Sequence, residues 1–289
     1  MNEYILSYPK HLSNLFDDEQ TIFVQSQFLN SLNLLFKGTL ITLQHREALK
    51  TPMSIVLDLS PKAFQLLIGN DIRSVHITNE GIKIQGILFY SKRAKIIDHD
   101  LGHLKKYDEK EIALLHSTLK RFLLESNRKG DLVKAFIALD GSLQTGPSEF
   151  GIYAKKVMGT LLTAKSNDYI ENCMKLYGAG EGLTPSGDDF LCGLLAATYF
   201  SKYDPVIEIR EKLIRNLSVT QFSTTEVSRA YLENACCGRF SELIIMLHGS
   251  APLENDRLDI LHQISCMGHS SGTDFLVGMF FGFQVGGTN

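Results

Sequence analysis

The sequence has no basic run. Lys and Arg occur as scattered pairs such as Lys105-Lys106 and Lys155-Lys156, and the formal net charge is -3. A nucleic-acid partner, which needs a positive stripe to neutralise phosphates, is not expected. The opening residues Met1-Asn2-Glu3-Tyr4 lack a basic stretch followed by an apolar one, so no secretory signal is read there. Long apolar runs are missing too. The longest, 190–200 and 275–283, fall short of the roughly 30 Å bilayer core at about 1.5 Å per residue. They predict buried helices, not membrane spans. The five cysteines are an odd number with no CxxC spacing. That argues against a disulfide framework or a zinc site and for a reducing, cytoplasmic compartment. Cys236-Cys237 could form a redox pair, but buried structural thiols are the expectation.

What is present is ordinary globular material: 289 residues, 44% hydrophobic and 21% charged, enough for one large or two small domains. The first hundred residues predict strands. Leu34 to Leu43 and Ile55 to Leu59 are β-rich, and Val75, Ile77, Ile82 and Ile84 alternate with polar residues around an Asn79-Glu80-Gly81 turn. One helix interrupts them, capped by Ser60 with Pro61 in its first turn, Leu66 and Leu67 turned inward and Gly69 ending it. Beyond residue 105 the period becomes helical, with Ile112, Leu115, Leu119, Phe122 and Leu123 on one face behind Asp108-Glu109. Asp131 and Asp204-Pro205 look like further helix starts, and Gly238 and Gly268 look like stops. The predicted fold class is α+β: a mostly-β domain over 1–105, then a larger α-helical domain over 106–289.

One internal repeat carries the chemistry. Ser186-Gly187-Asp188-Asp189-Phe190-Leu191-Cys192-Gly193 matches Ser271-Gly272-Thr273-Asp274-Phe275-Leu276-Val277-Gly278 at six of eight positions. The spacing predicts two helix starts with Ser186 and Ser271 as N-caps and Asp189 and Asp274 closing capping boxes. Before the first copy stands the glycine-rich stretch Gly178, Gly180, Gly182, then Thr184 and Pro185. Before the second stands Gly268-His269-Ser270. Gly193 and Gly278, inside their helices, suggest close packing of one helix on the other, which would bring both starts to one cleft.

The first turn of a helix offers unpaired N–H groups and partial positive charge, so a small anion is the expected ligand of that cleft. Thr184, Ser186, Ser270, Ser271 and the loop glycines are candidate binders, with Gly187 and Gly272 admitting close approach. His269 could polarise a carbonyl. Asp188 repels an anion unless it manages a proton or holds a divalent metal. A single Ser-x-x-Asp is usually only a cap; the second copy and the glycine loop turn the balance toward a site. Thr225 opens another helix as an N-cap candidate and, with Asp189 and Asp274, is counted among the candidate substrate-binding residues; Arg229, one turn on, is a candidate anion clamp against the alternative of a surface charge. No metal ligand set is assigned, although Mg²⁺ at the aspartates stays open.

Gly178-x-Gly180-x-Gly182-Leu183-Thr184-Pro185-Ser186-x-Asp188-Asp189 resembles the signature of a bacterial family that contains the AllH-type subunit of oxamate carbamoyltransferase. Thr224-Thr225-x-Val227-Ser228 through Gly238, and Gly268-His269-Ser270-Ser271-Gly272-x-Asp274, fit the same family in the same order. The likeness is specific over about 176–285; Glu181 stands where proline is frequent in that motif. The resemblance implies a part in anaerobic allantoin and purine breakdown, exchanging a carbamoyl group between oxalurate and phosphate to give oxamate and carbamoyl phosphate. It further implies FdrA-type and AllG-type partner subunits. The positions that match the family's motifs are glycines 178, 180 and 182, Thr184, Ser186, Asp188, Asp189, His269, Ser271 and Asp274, of which Asp188 and His269 are the catalytic candidates. Two other functions stay open on the residues alone: a non-catalytic small-anion-binding or assembly subunit, and Mg²⁺-dependent phosphoryl transfer. The sequence has no P-loop lysine motif to hold a nucleotide.

Overall fold

The structure, a computed structural model, describes residues 3–69, 71–125, 130–141, 148–163, 166–220, 224–249 and 254–285. The chain divides into two compact units, Met1–His99 with Phe240–Glu242, and Asp100–Arg239 with Leu243–Asn289.

The first unit is built from β1 (Glu3–Pro9), β2 (Gln20–Phe28), β3 (Ser31–Phe36), β4 (Thr39–Gln44), β5 (Ser54–Leu57), β6 (Ser74–Thr78), β7 (Gly81–Ile84), β8 (Ile87–Tyr90) and β9 (Lys95–Ile97). They bond in the order β5-β4-β3-β2-β6-β7-β8-β1-β9, and a further β1–β5 pairing closes the sheet into a barrel. Two tight hairpins set the register. Lys37 and Gly38 (φ 48 and 82) turn β3 into β4, and Gln85 and Gly86 (φ 47 and 86) turn β7 into β8. Positive φ at both central residues gives the turn twist that two-residue hairpins favour. Gly81 is required by proximity: a Cβ there would lie 1.9 Å from the Phe89 carbonyl oxygen. Alternate residues such as Leu32, Leu34, Ile41, Leu43, Val75, Ile77, Ile82 and Ile84 fill the interior.

Helix α1 (Pro61–Ile68) starts as its sequence predicts, with the Ser60 side chain accepting from Ala63 N at 3.2 Å. Its inward face is Phe64, Leu67 and Ile68, whereas Leu66, predicted inward, is 72% exposed. At about 100° per residue, position 66 lies opposite the face shared by 64, 67 and 68.

The second unit is helical: α2 (Glu109–Leu124), α3 (Asp131–Leu139), α4 (Glu149–Leu161), α5 (Ser166–Met174), α6 (Ser186–Phe200), α7 (Asp204–Val219), α8 (Glu226–Cys236), α9 (Glu242–Gly249), α10 (Glu254–Ser265) and α11 (Ser271–Gln284). An α+β fold follows, as the change of period at residue 105 predicts. Asp108 caps α2 in a full capping box with Glu111, and the predicted face from Ile112 to Leu123 is buried. Helices α6 and α11 form the centre of this unit, buried on nearly every side. A helix apolar all round must be core. Among the described residues, no helix is long and apolar enough to cross a membrane.

The cysteines depart from expectation in part. Cys173 and Cys192 are buried, Cys236 is half-buried, but Cys237 and Cys266 are exposed. The exposed pair follow the last residues of α8 and α10, where those helices end at the surface.

Candidate functional site

The two helix starts are not capped as the Ser-x-x-Asp spacing predicts. Pro185 is the N-cap of α6 and Ser270 that of α11, and neither makes a side-chain cap. Ser186 and Ser271 are therefore first helical residues, with Asp189 and Asp274 fourth. The amides that capping boxes would use are taken by the backbone: Asp189 N donates to Pro185 O at 3.2 Å and Asp274 N to Ser270 O at 2.9 Å, while Gly187 N donates to Ala179 O at 2.8 Å and Gly272 N to Met267 O at 3.0 Å. Gly187 and Gly272 make this approach feasible. A Cβ at either would stand 1.8 Å from a carbonyl oxygen of the preceding turn, Leu176 O or Ile264 O.

Relieved of capping, the serines and aspartates reach across from one helix to the other. Thr184 Oγ1 and Ser271 Oγ are 2.9 Å apart, joining the two starts. The hydroxyls of Ser271 and Thr184 stand beside the Asp189 carboxylate and favour its charged form, while its Oδ2 is sealed from solvent without a partner among the described residues. Burial holds the Asp189 carboxyl well above the ordinary carboxylate range. Those hydroxyls oppose the rise, and the neighbouring Asp274 and Asp188 add to it. Asp274 mirrors it. The hydroxyls of Ser186 and Ser270 stand beside its carboxylate and favour the charged form. Neither closes to a full hydrogen bond, so both oxygens lack a partner among the described residues. Burial dominates and pushes the Asp274 pKa up to about 7, with Asp131 contributing.

Asp188 sits differently. It is 1% exposed, and its Oδ1 accepts from Gly178 N at 2.7 Å. Its Oδ2 accepts from Ser228 Oγ at 2.6 Å and from Thr224 Oγ1. It thus staples the glycine loop to the start of α8. Thr225, the N-cap of α8, accepts from Ser228 N and donates to Leu183 O. Gly178, Gly180 and Gly182 all have positive φ (67, 113 and 97). Side chains there would be strained, and at Gly180 a Cβ would also lie 2.8 Å from Ser186 N.

Over this junction opens a pocket of about 680 Å³ lined by Gly130, Asp131, Ser148, Glu149, Phe150, Gly180, Glu181, Ser186, His269 and Ser270. Of the residues read from sequence, Gly180, Ser186, His269 and Ser270 face it. Thr184, Gly187, Asp188, Asp189, Thr225, Ser271, Gly272 and Asp274 are not in its lining. Gly178 serves Asp188, and Gly182 borders open space. Arg229, the candidate clamp, faces Glu226 and Glu233 at 3.9 and 4.0 Å.

Sequence reasoning missed the far wall. Gly130 and Asp131 begin α3, and Ser148 and Glu149 begin α4, so four helix starts converge on one pocket. Asp131 was legible as a helix start, but nothing local told where that start points. The converging ends supply partial positive charge. Against it stand Asp131, Glu149 and Glu181, with Ser148 Oγ donating to Asp131 Oδ2 at 2.7 Å and Lys134 at 3.7 Å from Asp131. Gly130 seals the floor: a Cβ there would sit 3.0 Å from Ser270 Cβ and 3.2 Å from Asp274 Oδ1. Among the described residues, no three His, Cys, Asp or Glu side chains group to hold a metal ion.

Residues 176–283 match a family model described as oxamate carbamoyltransferase subunit AllH. The segment is similar to that family. The AllH-type match spans both helix starts, the glycine loop and the α8 start that Asp188 ties to it. It leaves the barrel, α3 and α4 outside. No solved structure matches the chain.

Proposed function

We propose that this chain is a subunit of an oxamate carbamoyltransferase and that its pocket holds a small anion of the exchange between oxalurate plus phosphate and oxamate plus carbamoyl phosphate. One observation carries this reading: Gly180, Ser186, His269 and Ser270, which line the pocket, all fall inside the AllH-type segment. The chemistry agrees. Carbamoyl transfer passes through a tetrahedral intermediate whose developing charge needs fixed donors; the hydroxyls of Ser186 and Ser270 and the His269 imidazole line the pocket as such donors, and the converging helix ends add partial positive charge. In this reading Ser186 and Ser270 bind the ligand and His269 polarises the carbonyl. Thr184, Ser271 and Asp188 hold the two starts and the glycine loop in place. The partners are subunits of the FdrA and AllG types, the setting anaerobic allantoin degradation in the cytoplasm.

The test is reconstitution. The full chain mixed with its FdrA-type and AllG-type partners is expected to make carbamoyl phosphate from oxalurate and phosphate, and Ser186→Ala or His269→Gln to lower kcat about 100-fold. A reconstituted complex that makes none, or that is indifferent to both substitutions, overturns the reading.

A second reading, a subunit that binds the anion while a partner performs the transfer, is favoured by the pocket's charge. Its lining includes Asp131, Glu149 and Glu181 and, among the described residues, no Lys or Arg. The chain alone would then bind oxamate without turnover, and partner cations would complete the site.

A further inference from the structure

An acidic rim is an unexpected surround for an anion. Resting on the reading that the pocket's ligand is a small anion, we propose that each anion enters with one proton, and that Asp274 is the group that takes it. Asp274 is fully buried with neither carboxylate oxygen partnered among the described residues, and it lies directly behind Gly130, Ser186 and Ser270, which line the pocket. One layer of hydroxyls separates it from the pocket's contents. Ionised, it draws the serine hydrogens inward and leaves lone pairs facing the anion. Protonated, it donates its own hydrogen to a serine, whose O–H then turns outward as a donor. Proton and anion therefore favour one another.

The twin carboxyl does not offer this. The hydroxyls beside Asp189 are Ser271 and Thr184, which bond each other and do not line the pocket, so no hydroxyl layer links Asp189 to the pocket's contents. The charged and titratable groups around Asp274 fit the assignment. Asp131 on α3 raises its proton affinity, with Lys134 beside Asp131, and α6 brings Asp189. Glu149, Glu181 and His269 face the pocket itself. Helix α10 meets the start of α11 through the Ile264 carbonyl at Gly272, and α2 brings His116 onto Phe280 farther along. Burial already sets Asp274 to titrate near neutrality, at about 7, so the proton is cheaply supplied there. His269 is the competing acceptor, and the experiment must separate the two.

The test is calorimetry of the full chain with oxamate, whose own carboxylate stays ionised, in two buffers of different ionisation heat. Uptake of nearly one proton is expected at about pH 8 and almost none at about pH 5.5, with affinity falling up to about tenfold per pH unit above neutrality. His269→Gln and Asp189→Asn should keep the uptake, and Asp274→Asn should abolish it. Should Asp274→Asn not fold, Asp131→Asn removes the neighbouring charge that favours the Asp274 proton, and the pH at which uptake is half complete should fall. Oxamate binding without proton uptake, or uptake lost in His269→Gln and kept in Asp274→Asn, overturns this proposal and leaves the anion pocket standing. Absence of binding by oxamate, phosphate and carbamoyl phosphate at every pH overturns both.

Discussion

Gly193 and Gly278 answer each other across the centre of the helical unit. A Cβ on Gly193 would stand 1.9 Å from Phe275 O, and a Cβ on Gly278 would stand 1.9 Å from Phe190 O. Phe190 and Phe275 hold the same place in the two copies of the repeat, so one contact is made twice about a local twofold relation. The helices cross at contact distance because neither carries a side chain there.

Gly193→Ala and Gly278→Ala are each expected to destabilise the protein by about 1–3 kcal/mol, since the intruding methyl meets backbone that cannot rotate away. Urea unfolding measures this. The double variant should cost less than the sum of the two, because one displacement of the helix pair relieves both clashes. Strict additivity, or two neutral variants, would show that the crossing is looser than these distances.

Asp188 invites a different expectation from the one its motif suggests. As a proton-handling residue it would be replaceable by Asn without loss of folding. With three donors from Gly178, Thr224 and Ser228 converging on it, it is a structural tie. Asp188→Asn is expected to destabilise by about 1–3 kcal/mol, because an amide cannot accept at both ends. Its thermal midpoint should fall while the folded fraction still binds oxamate. An unchanged midpoint with binding lost would restore the proton role.

The repeat itself was legible because it is local: serine, glycine, aspartate and a glycine two turns on recur in one order, and the structure packs them the same way. The barrel was legible only in outline. Alternation announced β6 and β7, but the β1–β5 pairing that closes the sheet joins strands about fifty residues apart, and no local pattern encodes it. The capping error has a single cause. Ser-x-x-Asp looks the same whether the aspartate reaches back along its own helix or across to another, and here Pro185 O and Ser270 O accept the Asp189 and Asp274 amides that the boxes would have used. The far wall escaped for the same reason: Asp131 and Glu149 are ordinary first-turn acids until tertiary packing brings both to the pocket that Ser186 lines.

Asp274 gives a stability signature with a definite sign. Its folded pKa, about 7, is raised above the ordinary 3.8, so the folded protein holds a proton that the unfolded chain releases. That contribution is complete below the ordinary value and is lost as pH rises through the folded one. Between these limits it should weaken the protein by about 1.4 kcal/mol per pH unit, against whatever other groups add. Asp274→Asn is expected to flatten this part of the profile, so that the variant gains on the wild type from pH 4 to pH 7. Parallel profiles would mean that the carboxyl ionises normally in the fold.

The rim acids supply the last prediction, because they oppose the ligand the pocket is proposed to hold. Glu149 and Glu181 are exposed and line the opening. Each is therefore screened, and removing one charge should be worth about 0.2–1 kcal/mol to a bound anion. Glu149→Gln and Glu181→Gln are expected to tighten oxamate binding by roughly 1.5- to 5-fold at low salt, with the gain fading as ionic strength rises. Calorimetry at two salt concentrations measures both effects. Weaker binding in either variant would point the other way, to a ligand or bridging cation that the carboxylates attract, and the pocket would then have to be reassigned from anion to cation.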